Sequence, residues 1–138
     1  MISNTELIIE AKKARERAYA PYSDFMVGAA LVTKNGKIYH GCNIENSSFS
    51  PTNCAERTAF FKAVYEGERE FEKIAIVGGK RGCDADEMCA PCGVCRQVMG
   101  EFCNLEEFRI VLLNGKDNLV EVKLKDMLPY SFNYKQEK

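Results

Sequence analysis

Phe25-Met-Val-Gly-Ala-Ala-Leu-Val-Thr33, followed by Lys34-Asn-Gly36 and then Lys37-Ile-Tyr-His-Gly-Cys-Asn-Ile44, spells a strand, a tight turn and a returning strand. Branched and aromatic side chains suit a pleated, half-buried surface. Asn35-Gly36 is the pair that a two-residue hairpin turn demands, because both central positions take positive φ. Working outward, Ser3-x-x-Glu6 reads as a capping box for a first helix. Leu7, Ala11, Ala14 and Ala18 then mark one apolar face, up to a stop at Pro21. Beyond the hairpin lies a polar loop, residues 45–53, and then a helix from Cys54 to about Glu66, ended by Gly67. Lys73 to Val77 is short and apolar, which predicts a central strand. Gly78 to Ala90 reads as a loop, and Pro91 to Phe102 as a helix with proline at its favoured first position. Phe108–Leu113 and Leu119–Val122 read as two more strands around Asn114-Gly115, with a helical piece near Lys125–Leu128.

The order is therefore α-β-β-α-β-α-β-β-α. Strands separated by helices pair in parallel, and those joined by tight turns pair antiparallel. The expected fold is α/β: a three-layer α/β/α sandwich around a mixed five-stranded sheet, with residues 1–138 as one domain. Ligands of such sheets gather at strand carboxyl ends and helix amino ends. The cysteine clusters fall at those helix starts.

Composition narrows the function classes. The formal net charge of the 138-residue chain is −1, with no basic stripe, which argues against a nucleic acid polymer and for a small-molecule substrate. No apolar run approaches the roughly 20 residues needed to cross a bilayer, so no membrane role is expected. The charged N-terminal segment does not read as a signal peptide. Seven cysteines without such a peptide point to metal binding or catalysis rather than a disulfide framework, and to a reducing cytoplasm.

Cys92-Gly-Val-Cys95 places two thiols on one face of a helix start, where the dipole favours anionic sulfur. Alone, that spacing fits a redox pair or half of a structural zinc site equally well. Cys54-Ala-Glu56 adds a third thiol and a carboxylate. Residues two apart serve one centre only if their helix meets it end-on. Three cysteines would leave the fourth tetrahedral position of a zinc ion open, the mark of a catalytic site, with Glu56 as proton shuttle. Arg57 would donate to the ligand sulfurs and offset their charge. The competing arrangement is a closed site in which Cys89 is the fourth ligand. Cys42, Cys83 and Cys103 have no spaced partner, and His40, the one histidine, excludes a multi-histidine site.

Four motifs, Ala20-Pro-Tyr-Ser-Asp-Phe-Met-Val-Gly-Ala-Ala30, Gly41-Cys-Asn-Ile-Glu-Asn46, Cys54-Ala-Glu-Arg-Thr-Ala59 and Pro91-Cys-Gly-Val-Cys-Arg-Gln-Val98, stand in the order found in the small cytidine deaminases. The chain resembles that family over about residues 5 to 132, and the cysteine pattern is the Cys form of the zinc deaminase signature. The resemblance implies zinc-dependent hydrolytic deamination of cytidine and deoxycytidine. Zinc would sit on Cys54, Cys92 and Cys95, water activated there would attack C4, and Glu56 would shuttle protons. It implies that Asn43 and Glu45 hold the ribose, that Phe25 packs beside the nucleoside, and that backbone near Ala55 and Ala90 reads the pyrimidine edge. It implies a homotetramer in which Phe132 reaches a neighbouring subunit's site. Two features depart from the pattern: Phe49, where many relatives have tyrosine, and the segment 79–90 with its extra cysteines Cys83 and Cys89.

Overall fold

A computed structural model of the chain describes residues 1–133. The elements are α1 (Asn4–Arg15), β1 (Phe25–Thr33), β2 (Ile38–Cys42), α2 (Ala55–Tyr65), β3 (Phe71–Lys80), α3 (Gly93–Phe102), β4 (Arg109–Leu113), β5 (Leu119–Lys123) and α4 (Leu124–Met127). They follow the expected order. The sheet runs β2-β1-β3-β4-β5, with β3 at its centre; β3 and β4 are parallel and the other pairs antiparallel.

Side chains alternate across this sheet and divide the core in two. Ala29, Leu31, Ile74, Ile76, Ile110 and Leu112 face α2 and α3, around Phe60 and Met99. Ala30, Val32, Ala75, Val77, Val111 and Leu113 face α1, around Leu7 and Ala11. That alternation is the three-layer sandwich. Phe60 anchors the thicker layer, edge-on to Phe71 at 5.1 Å and also near Phe102 and Phe108. Among the described residues no helix is long and apolar enough to cross a membrane.

Several boundaries differ from the sequence reading, each for a local reason. The capping box of α1 forms in full, but the helix ends at Arg15 rather than running to Pro21. The N–H groups of Arg17 and Ala18 bond three residues back, and Tyr19 is then drawn into a bridge with Ile44. The hairpin loop has three residues rather than two. Thr33 and Lys37 are joined by a 2.9 Å bond, Gly36 donates to the Thr33 carbonyl, and Gly36 takes φ of 92°. This is a turn followed by a left-handed glycine. Strand β3 extends past Val77 through two glycines to pair Lys80 with Phe25. Pro91 is not the first helical residue of α3, because Cys92 is the N-cap and its sulfur accepts the Cys95 N–H at 3.4 Å.

Helix α1 lies directly on β1 at Gly28. A Cβ there would sit 2.1 Å from the Ala11 carbonyl oxygen and 2.4 Å from the Arg15 nitrogen. Both obstacles are backbone, so neither can rotate away. Gly28→Ala is expected to cost about 1–3 kcal/mol or more, as overpacking does, read as a lowered midpoint in urea unfolding.

Candidate metal centre

Helices α2 and α3 bring their N-termini to one point. Cys54 and Cys92 are the two N-caps, both in extended backbone, and Cys95 sits in the first turn of α3. Cys54 is held in place from behind. Ile44 and Asn53 exchange two backbone hydrogen bonds of 2.9 Å, and Thr58 donates to the Cys54 carbonyl. Across the site, Arg96 donates to the carbonyls of Pro91 at 2.8 Å and Met127 at 3.1 Å, tying the cysteine turn to α4. Sequence reasoning passed over Arg96 and Thr58, since no spacing rule marks a side chain that holds a carbonyl.

The three sulfurs of Cys54, Cys92 and Cys95 lie within 4.8 Å of one another. The Cys54–Cys92 separation is 3.7 Å. Tetrahedral zinc with Zn–S bonds of about 2.3 Å needs sulfurs about 3.8 Å apart, so the spacing fits. The electrostatics fit as well. Cys54 is drawn down to about 5, chiefly by its hydrogen bond with Cys95 and, against burial, by Arg57. Cys95 is pushed far up by that same bond, by burial and by the nearby Glu56. Three thiolates and a carboxylate in this space cannot all be negative unless a cation joins them. A divalent ion with a taste for sulfur resolves that conflict.

Glu56, at the second position of α2, is 4% exposed and pushed up to about 7, first by burial and then by the charge at Cys54. Its carboxylate stands outside the sulfur cluster. The end-on approach of α2 thus places Cys54 and Glu56 at one centre. Arg57 reaches the cluster, with Nη2 3.4 Å from the Cys54 sulfur; its Nε is buried and unpartnered. Cys89 does not join the three sulfurs. It lies over β3, where a Cβ on Gly78 would be 3.0 Å from its sulfur and 2.9 Å from the Phe25 ring. Burial pushes the Cys89 thiol up to about 12. The closed four-cysteine arrangement is therefore not formed. Cys103 is buried in the core, Cys83 is exposed, and both are free thiols like Cys42.

A second group of expected residues sits beside this one, joined through the Ile44–Asn53 bridge. The Asn43 side chain spans to β1, donating to the Phe25 carbonyl at 2.9 Å and accepting from the Val27 N–H at 2.9 Å. One amide hydrogen and one lone pair remain on it. Glu45 is engaged by the N–H groups of Tyr22 and Ser23. Ala55 is buried at the start of α2, with its N–H in the unpaired first turn. Phe132 lies elsewhere. It lines a cavity with Gly100–Glu106 at the far end of α3, about 12 Å along that helix from Cys92. It is 69% exposed.

An open three-thiolate centre at two helix ends, with a buried carboxylate beside it, defines a metal-dependent hydrolytic domain. Comparison with known proteins makes the class particular. Residues 1–111 match the cytidine and deoxycytidylate deaminase zinc-binding region. The chain is 53% identical over 128 residues to cytidine deaminase of Sporosarcina psychrophila, covering 93% of this chain and 90% of that one. It is 48% identical over 126 residues to cytidine deaminase of Halalkalibacterium halodurans, covering 91% of each. The crystal structure of cytidine deaminase from Burkholderia pseudomallei superposes with a TM-score of 0.85 at 49% identity, over 95% of this chain and all of that one. The chain belongs to the cytidine and deoxycytidylate deaminase family, with a three-cysteine site consistent with Zn²⁺.

Arg57→Ala is expected to speed zinc loss to a chelator by roughly tenfold or more, the scale at which groups hydrogen-bonded to ligands act. Cys89→Ser should keep one zinc per chain, whereas Cys95→Ser should lose it; metal analysis of dialysed protein checks both.

Proposed function

We propose that the protein hydrolyses cytidine and deoxycytidine to uridine and deoxyuridine, releasing ammonia. The observation that carries this reading is the convergence of Cys54, Cys92 and Cys95, within 4.8 Å, beside a carboxylate that is buried but not among them. Zinc held by the three sulfurs would supply Lewis acidity, making water a competent nucleophile near neutral pH. Glu56 is the acid and base. It takes one proton from the attacking water and delivers it to N3 of the ring, then takes the second from the new C4 hydroxyl and passes it to the departing amine as the C4–N4 bond breaks and the C4 carbonyl forms. Its burial keeps solvent from competing for those protons. Arg57 offsets the excess negative charge of the three sulfurs.

In this reading Asn43 and Glu45 take the sugar hydroxyls with the acceptor and donor positions left free by β1 and the 20–24 turn. Phe25 packs beside the ring, and backbone at Ala55 and Ala90 meets the pyrimidine edge. Phe132 stands too far from its own cluster and would complete the site of a neighbouring subunit in a homotetramer. Residues 1–138 form the catalytic domain, of which 134–138 lie outside the described residues. Three free thiols as ligands suit a reducing compartment such as the cytoplasm.

Blasticidin-S deaminase of Bacillus cereus is also similar, at 31% identity over 109 residues. The remaining hydrogen-bond capacity of Asn43 and Glu45 favours a ribose, and parallel assays with cytidine and blasticidin S decide between the substrates. With cytidine, Glu56→Gln should lose at least about 10³-fold in kcat, a typical cost for removing an acid–base group. Zinc content should stay at one per chain. Equal turnover by wild type and Glu56→Gln overturns the assignment. Sedimentation should give a species of about four times the 15.6 kDa chain mass. Phe132→Ala should raise KM within an intact tetramer.

A further inference from the structure

The residues assigned to the nucleoside form one hydrogen-bonded unit with the turn that precedes β1. The Glu45 carboxylate accepts from the Tyr22 N–H at 2.9 Å, from the Ser23 N–H at 3.2 Å, and from the Ser23 hydroxyl. The Ser23 oxygen accepts in turn from the Phe25 N–H at 3.1 Å, and the Phe25 carbonyl accepts from Asn43. The aim of Glu45 therefore depends on the backbone shape of residues 20–24.

That shape contains a left-handed residue, Asp24, at φ of 61°. Such a conformation is uncommon outside glycine and persists when its surroundings hold it. A 3.1 Å backbone bond from the Asp24 N–H to the Ala20 carbonyl closes the turn, and Arg81 does the rest of the holding. Its N–H donates to the Asp24 carbonyl at 2.9 Å, its Nε pairs with the Asp24 carboxylate at 2.6 Å, and its Nη2 donates to the Ala20 carbonyl at 3.3 Å. One side chain thus grips both ends of the turn.

Arg81 is itself aimed by the fold. It is the second residue of the turn Lys80–Cys83, closed by a 3.0 Å backbone bond, with Gly82 at φ of 79° in the third position. Beneath it, the buried Arg15 donates to the carbonyls of Gly79 at 2.8 Å, Lys80 at 2.8 Å and Cys83 at 3.0 Å. An exposed ion pair by itself contributes little. Here the ion pair and the Nη2 contact converge on one constrained turn, so losing the side chain leaves only backbone bonds to hold its shape.

We propose that Arg81, from the segment that departs from the family pattern, is a positioning residue for sugar recognition. It holds turn 20–24 in the shape that presents Glu45 to a ribose hydroxyl. The proposal rests on the nucleoside reading above. Arg81 touches none of the metal-centre residues, so its effect falls on KM rather than on the chemical step.

The experiment compares zinc-loaded wild type, Arg81→Ala, Arg81→Lys and Glu45→Ala, using cytidine and 2′,3′-dideoxycytidine. Arg81→Ala should raise KM for cytidine about fivefold or more and change kcat by less than about twofold. Its KM for the dideoxy substrate should not change. Lysine restores the ion pair without the fork, so Arg81→Lys should fall between. The proposal is overturned if Arg81→Ala leaves the cytidine KM unchanged while Glu45→Ala raises it. It is also overturned if kcat falls and KM rises alike for both substrates, which marks a merely structural strut. If Glu45→Ala leaves the cytidine KM unchanged, the ribose reading itself fails and the proposal with it.

Discussion

The arrangement depends on one constraint: the first turns of α2 and α3 must meet tip to tip with three thiols between them. Each helix start offers unpaired N–H groups and a positive dipole end, and each carries a cysteine as its N-cap. In most helices serine or aspartate fills that position. Here Cys92 caps through its sulfur, while Cys54 makes no side-chain cap and is free to face the cluster. The sheet sets the meeting point. Helix α2 rests on β2 at Gly41, where a Cβ would lie 2.3 Å from the Ala55 carbonyl oxygen and 2.6 Å from the Ala59 nitrogen. A larger residue there would lift the start of α2, and Cys54 and Glu56 would both leave the centre. The glycine is a metal-site residue in effect, though it touches no ligand.

Much of this was legible in the chain because its signals are local. The Ser3–Glu6 capping box, the strand 25–33 and the apolar run 73–77 each depend on neighbours a few residues away, and each formed. The end-on requirement on Cys54 and Glu56 is also local: helix geometry alone forbids any other way for both to serve one ion. What escaped the reading involves partners distant in sequence. Tyr19 ends the first helix early because Ile44 captures it, and β3 outruns its apolar core because β1 continues to offer a partner. The expectation for Cys89 stayed open because a Cys-x-x-Cys spacing carries no information about which side of a sheet a loop residue falls on. Gly78, Phe25 and Cys89 meeting at one point settle it, and only the folded sheet brings them together.

Asn43 and Glu45 show a second kind of gap. Their residue types match sugar recognition, and the motif that contains them suggested that role. The structure adds that both are already hydrogen-bonded within the protein, Asn43 to β1 and Glu45 to the preceding turn. A side chain with one face tied down has lost its rotamer freedom before any ligand arrives, so less entropy is lost on binding. Partial engagement is therefore compatible with recognition, because an amide or carboxylate has more hydrogen-bonding positions than one contact uses. The same reasoning separates the two halves of the site. The three-cysteine centre is fixed by helix ends and glycine contacts deep in the sandwich, whereas Glu45 hangs on an exposed turn that Arg81 contacts. On the proposed sugar-binding role, variation in the 79–90 segment would retune how the sugar is held without disturbing the sulfurs, since the two depend on different contacts of the same sheet.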